Sequence, residues 1–151
     1  MDRSSDQVRS ESSRLSDYTA LEHILLGDLR DLLEEAPDKT TRKWLLAVLD
    51  ALLDTLPRQY ELQASGGYLS EVLEQFPNWT DQVAQLREEK QNLFAKLRQL
   101  REEVSQRASF AKIAAEVRNG LRDWMASLSS HQRRERRILQ TAFNLDVGAS
   151  D

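Results

Sequence analysis

His131 and Glu135 lie four residues apart, and at about 100° per residue that spacing stacks an imidazole and a carboxylate on one face of a helix. With His23, the second of two histidines in the chain, they would form a two-histidine, one-carboxylate set. Such sets hold mononuclear non-haem iron and leave open positions for oxygen or redox sensing. Three further polar residues fall on apolar stripes, Gln59, Gln63 and Lys90, and Phe94 lies one turn beyond the lysine. Amides are poor iron ligands, a phenyl ring is none, and an ammonium facing the same cavity repels a divalent ion. A carboxylate beside Lys90 would hold it in its charged form. The competing chemistry is a buried ion pair between Lys90 and Glu135, with the glutamine amides meeting leftover donors and acceptors. Two plainer readings stand beside these. The histidines can be hydrogen-bonded structural side chains, and Lys90 can pack its stem in the core while its ammonium reaches water past the helix ends.

The elements that would position these residues are helices. Tyr18, Leu21, Leu25, Leu29 and Leu32 recur at helical spacing until Pro37, which predicts a first helix over Asp17–Glu35. Asp38 is a good N-cap for a second helix over Lys39–Gln63, with Leu45, Leu49, Leu52 and Leu56 on its stripe and the Gly66-Gly67 pair closing it. Tyr68 to Phe76 reads as a short apolar turn or helix. Pro77-Asn78 then precedes a third helix over Thr80–Val104, where Val83, Leu86, Leu97 and Val104 are in phase with Lys90. A turn between Ser105 and Ser109, marked by neither proline nor glycine, leads into a fourth helix over Phe110–Phe143. Ile113, Val117, Trp124, Ile138 and Ala142 share the face of His131, and Asn144 with Gly148 is the expected stop. Residues 1–16 are polar and serine-rich and read as a disordered arm, 17–144 as the body, and 145–151 as a short acidic tail. No alternating valine-rich run suggests a strand. The expected fold is all-α, an antiparallel up-and-down four-helix bundle. In that topology His23, Gln59, Gln63, Lys90, His131 and Glu135 gather at one end.

Composition narrows the function classes. A chain of 151 residues is one ordinary domain, and the lack of cysteine excludes disulfides, thiolate metal sites and thiol catalysis. The net charge of -4 comes from 21 basic and 25 acidic residues mixed along the helices, so nucleic acid is not an expected partner. No stretch approaches the ~20 apolar residues of a membrane span and no apolar leader is visible, which makes no membrane and a cytoplasmic location the expectations. Trp44, Trp79 and Trp124 read as core or edge packing. Apart from Glu135, the run Arg133 to Arg137 reads as a solvated face near a helix C-terminus, where cations complement the dipole. Without a Ser/His/Asp constellation or a phosphate loop, no enzyme activity is expected.

The polar cluster resembles that of the hemerythrin-like (HHE cation-binding) family, whose four-helix bundle holds an oxo-bridged iron pair through five histidines and two bridging carboxylates. His23, in Leu21-Glu22-His23, resembles the first-helix ligand, and Gln59 with Gln63 stands where the family has His-x-x-x-Glu. Lys90 and Phe94 stand where the third helix supplies His-x-x-x-His, and His131 with Arg136 where the fourth supplies His-x-x-x-x-Asp. Glu135 is similar to the one-residue-nearer carboxylate of bacterial relatives. The connector Gly66-Gly67-Tyr68-Leu69 and the segment Ala142 to Gly148 also resemble bacterial members. The resemblance implies a family fold with a degenerate ligand set: His23, Gln59, Gln63, Lys90, Phe94, His131 and Glu135 line the vestige of a metal cavity, and no cofactor is expected. If any metal binds, His23, His131 and Glu135 would hold it, and iron is the alternative cofactor. The expected role is a binding, structural or regulatory module, monomeric or homodimeric, with an unidentified protein partner.

Overall fold

Apolar residues at three- and four-residue spacing line one face of each helix, and burying those faces against one another assembles the chain. The computed structural model describes residues 2–65, 73–106 and 110–150, which are helical apart from short connections and contain no strand. In chain order the elements are α1 (Asp2–Leu32), α2 (Lys39–Ser65), a 3-10 turn (Pro77–Trp79), α3 (Thr80–Ser105) and α4 (Phe110–Ser150). Leu29 of α1, Leu49 and Leu52 of α2, Leu97 and Val104 of α3, and Leu121 of α4 are completely enclosed. They belong to one continuous core.

Local signals account for most of the helix ends. The Asp38 carboxylate accepts a hydrogen bond from the Thr41 N–H at 2.8 Å, which satisfies one of the free donors at the start of α2. That bond is the main reason its carboxyl lies below the ordinary range. Phe76 and Trp79 stack across the 3-10 turn, with ring centroids 5.1 Å apart, where Pro77 starts the approach to α3. Pro57 lies inside α2 and withholds one N–H from the helical ladder, yet the helix runs through it.

Helix α1 packs on α2, α2 on α3, and α3 on α4. Side-chain bonds give their directions. From α2 to α3, Arg42 Nε donates to the Val104 carbonyl at 2.8 Å, and Asp50 accepts from Arg101 at 2.8 Å, so numbers rise on one helix as they fall on the other. Helices α1 and α4 are joined in the same sense, by Gln132 donating to Glu22 and by Arg122 pairing with Glu34. A Cβ at Gly120 would come within 2.8 Å of Leu100 Cδ2, so this glycine allows α4 to approach α3 closely. Arginines from neighbouring helices cover the C-terminal carbonyls at the far end. Arg42 also donates to Ser105 at the end of α3, and Arg118 and Arg122 donate to the Glu35 and Leu33 carbonyls after α1.

Several expected boundaries move. Helix α1 begins at Asp2, not near Asp17, so residues 2–16 extend the helix and do not form a separate arm. The segment has no proline or glycine, and its described side chains other than the half-buried Leu15, among them Arg9, Ser13 and Arg14, are exposed, so it carries too few apolar positions from which a helix could be inferred. Helix α4 continues to Ser150 through Asn144 and Gly148, in place of the expected tail. Either residue lowers helix propensity by at most about 1 kcal/mol and stops a helix only when the backbone turns there. The Gly66-to-Leu69 connector and the turn at 107–109 lie outside the described residues, as do the side chains of Ile113 and Ala142. Of the tryptophans, Trp124 is core, Trp79 is half-buried and Trp44 is 59% exposed.

The burial pattern makes a direct contrast. Leu49→Ala should cost about 2–5 kcal/mol in urea unfolding, because it empties an enclosed position. Ser13→Ala, on the exposed start of α1, should stay within about 0.5 kcal/mol of the parent. Similar losses for the two would place the core elsewhere.

Candidate functional site

Lys90 occupies a core position of α3, between Leu86 and Phe94, with 7% of its surface exposed. Its Nζ donates to both oxygens of Glu135 on α4, at 3.0 and 2.9 Å. It also lies 4.9 Å from the centroid of the Tyr60 ring on α2, close enough for a cation–π contribution. Tyr60 in turn meets Phe94 edge to face, with centroids 6.3 Å apart. The ammonium is therefore held inside by a carboxylate and an aromatic face. The reading in which it snorkels to water is overturned, because its side chain is only 9% exposed and its ammonium is paired with Glu135.

His131, 1% exposed, is sandwiched between two carboxylates. Its Nδ1 lies 3.1 Å from Glu89 Oε2, so the proton belongs on Nδ1 and is donated there. Arg134 donates to the other Glu89 oxygen at 2.7 Å. The Nε2 of His131 lies 3.7 Å from Glu135 Oε2, beyond hydrogen-bond length, and is the buried side-chain nitrogen left without a hydrogen-bond partner among the described residues. The result is a connected chain of polar contacts: Arg134, Glu89, His131, Glu135, Lys90. The Arg134 hydrogen bond holds Glu89 below the usual carboxylate range. Burial pushes Glu135 up, but His131 and the Lys90 charge outweigh it, and its carboxyl also lies below that range.

A second polar layer lies beside this chain. Gln59 Nε2 donates to Glu22 Oε2 at 2.8 Å and to Thr19 Oγ1 at 3.2 Å. Gln132 Nε2 donates to Glu22 Oε1 at 2.5 Å. These residues, with Gln63, Tyr60 and Glu135, line a cavity of about 430 Å³ open to solvent on one side. Leu15 and Leu139 form apolar parts of its wall, and Arg87 and Arg136 stand exposed where it opens.

Of the residues expected at one end, Lys90, Phe94, His131 and Glu135 form one connected cluster, while Gln59 and Gln63 line the adjoining cavity. His23 is not among them. It is exposed, and the buried position on that turn belongs to Glu22, at 6% exposure. The core stripe of α1 runs Glu22, Leu25, Leu29, Leu33, and His23 is rotated from it by about 100°. Counting back seven residues from Leu29 reaches Glu22, so the signal was present in the leucine spacing. With His23 turned away, the His23, His131 and Glu135 set is not assembled. Among the described residues no three or more His, Cys, Asp or Glu side chains are placed so that they could hold a metal ion together. Glu89, Thr19 and Gln132 are not singled out by residue type, and only the neighbouring helix gives each its role. Of the basic run, Arg133, Arg136 and Arg137 are exposed as expected, but Arg134 reaches back to Glu89.

No protein-family model, curated protein or solved structure matches the chain.

The cluster predicts an asymmetry between its two halves. Glu135→Leu strands an ammonium in the core and should cost about 3–5 kcal/mol. Lys90→Met should cost clearly less, because methionine fills the space and Glu135 keeps His131 within 3.7 Å. Equal small losses in denaturant titrations would show that the pair carries no such weight.

Acid should act through the same groups. Both carboxylates have folded-state values depressed from an ordinary 4.5, so their stabilisation is complete above about that pH and is lost as pH falls through the lower folded values. Unfolding midpoints should therefore decline below about pH 4.5, and less steeply in a Lys90→Met/Glu135→Leu double variant. An unchanged slope in that variant would assign the acid sensitivity to other carboxylates.

Proposed function

We propose that this chain is a hemerythrin-like, antiparallel up-and-down four-helix bundle that has lost its di-iron centre and serves as a non-enzymatic binding, structural or regulatory module. The helix pairings and the gathering of Lys90, His131 and Glu135 at one end support the architecture. One observation carries the functional reading: the Lys90 ammonium lies on both oxygens of Glu135. Where the resemblance calls for an imidazole on the third helix, the chain places a fixed positive charge, and that charge consumes the carboxylate a metal would need.

The remaining residues do not fit a di-iron group. Phe94 is packed against Tyr60, Gln59 spends its amide on Glu22 and Thr19, and His23 faces outward. Of the positions matched to family ligands, only His131 and Glu135 both keep a suitable donor type and face inward, and the carboxylate is already paired. In this reading the ion pair replaces the metal as the element that ties the third and fourth helices together. The polar end is then free to bind or to regulate without redox chemistry.

Iron analysis tests this. Protein purified from iron-supplemented cells should contain iron well below a di-iron stoichiometry, and ferrous titration in air should produce no oxo-bridge absorption. Stoichiometric di-iron would refute the proposal. One tightly held ion, abolished by His131→Ala, would instead favour a mononuclear metalloprotein.

A further inference from the structure

Three carboxylates are drawn into this end of the molecule, and they are not equally compensated. Glu135 carries Lys90 and Glu89 carries Arg134. Glu22 is 6% exposed, yet its hydrogen-bond donors are the neutral amides of Gln59 and Gln132. Among the described residues it has no ion pair. Neutral donors offset only part of the cost of withdrawing a carboxylate from water, and a charged donor would bind it about twice as strongly. Glu22 also lines the open cavity, whose volume of about 430 Å³ lies in the range of small-molecule sites.

From this we propose that the cavity binds an amphipathic organic cation, a primary ammonium on a short apolar body, with the ammonium on the Glu22 carboxylate. The lining suits such a ligand at both ends. Beside Glu22, the amide oxygen of Gln59 and the hydroxyl of Thr19 are further acceptors for an ammonium with three N–H groups. Leu15, Leu139 and the Tyr60 ring then cover the apolar body. Arg87 and Arg136 stand at the opening and are exposed, where water and salt screen them. They favour an anion instead, which makes a carboxylate the competing ligand. This inference deepens the binding-module reading above and rests on it.

The test uses the full chain and three probes of one shape: n-hexylammonium, n-hexanol and n-hexanoate. Binding is followed by calorimetry and by the side-chain amide NMR signals of Gln59 and Gln132. The ammonium should bind at millimolar concentration or below and move both amide signals. The alcohol and the carboxylate should bind at least about tenfold more weakly, as expected for loss of a hydrogen bond to a charged group. Glu22→Gln, which keeps the size and an acceptor, should erase the preference for the ammonium while leaving the helical circular dichroism unchanged. Equal binding of hexanol would overturn the proposal by reducing the cavity to an apolar groove. Tighter binding of hexanoate would overturn it in favour of the mouth arginines, and no binding of any probe would remove the site. Should Glu22→Gln fail to fold, the probe series on the unaltered protein still decides. The iron result is independent of this one: absence of ammonium binding leaves the Lys90–Glu135 pair and its exclusion of metal intact, and di-iron loading would refute that exclusion whatever the probes do.

Discussion

An ammonium withdrawn from water must meet a counter-charge inside, and at Lys90 that requirement reaches into three helices at once. The lysine comes from α3, its carboxylate from α4 and the ring beneath it from α2. Displacing α3 by one residue would rotate the ammonium by about 100°, away from Glu135, and strand both charges. Leucine layers tolerate small errors of register because one apolar contact is much like another. A bidentate ion pair does not, so the register of α3 against α4 is specified most sharply where Lys90 and Glu135 meet. Phe94 and Tyr60 inherit their edge-to-face contact from the same placement.

Around that pair the polar residues sort into two groups with different chemistry. One is a chain of ion pairs and polar contacts running from Arg134 on the surface to Lys90 inside, with His131 at its middle. Glu89 is held by Arg134 and His131, and Glu135 is held by Lys90. The other is the set of amides and the hydroxyl around Glu22, which faces open space. Neutral groups can exchange partners at low cost, whereas the ion-paired chain cannot. The first group behaves as scaffold and the second as the surface on which recognition can occur.

Much of this could be read from residue order where a local signal was strong. Asp38 as an N-cap and Pro77 before Trp79 marked the starts of α2 and α3, and the observed starts are Lys39 and Thr80. Lys90 was legible as an inward residue because Val83, Leu86, Phe94 and Leu97 flank it at helical spacing, and His131 because Val117, Trp124 and Ile138 share its face. The beginning of α1 was not, because a stretch with so few apolar residues has too little phase to detect. The end of α4 was not, because Asn144 and Gly148 are compatible with either outcome. At the site, a rare histidine drew attention to position 23, while the leucine period pointed to Glu22. Glu89, Gln132 and Arg134 act by reaching across to another helix, and their partners are 42, 110 and 45 residues away in the chain. No local pattern encodes such distances.

The arginines at the opposite end have a further consequence. Arg42, Arg118 and Arg122 bind backbone carbonyls, and neither a guanidinium nor a carbonyl changes its protonation in the ordinary range of pH. The cluster around Glu89 and Glu135 is held by groups that do. The two ends of the same helices are thus fastened by joints of different kinds: guanidiniums on carbonyls beside the exposed carboxylates of Asp38 and Glu34 at one, and half-buried carboxylates at the other. A fall in pH therefore weakens the Lys90 end through its half-buried carboxylates, while at the other end the guanidinium-to-carbonyl bonds persist beside a carboxylate cap that acid also weakens.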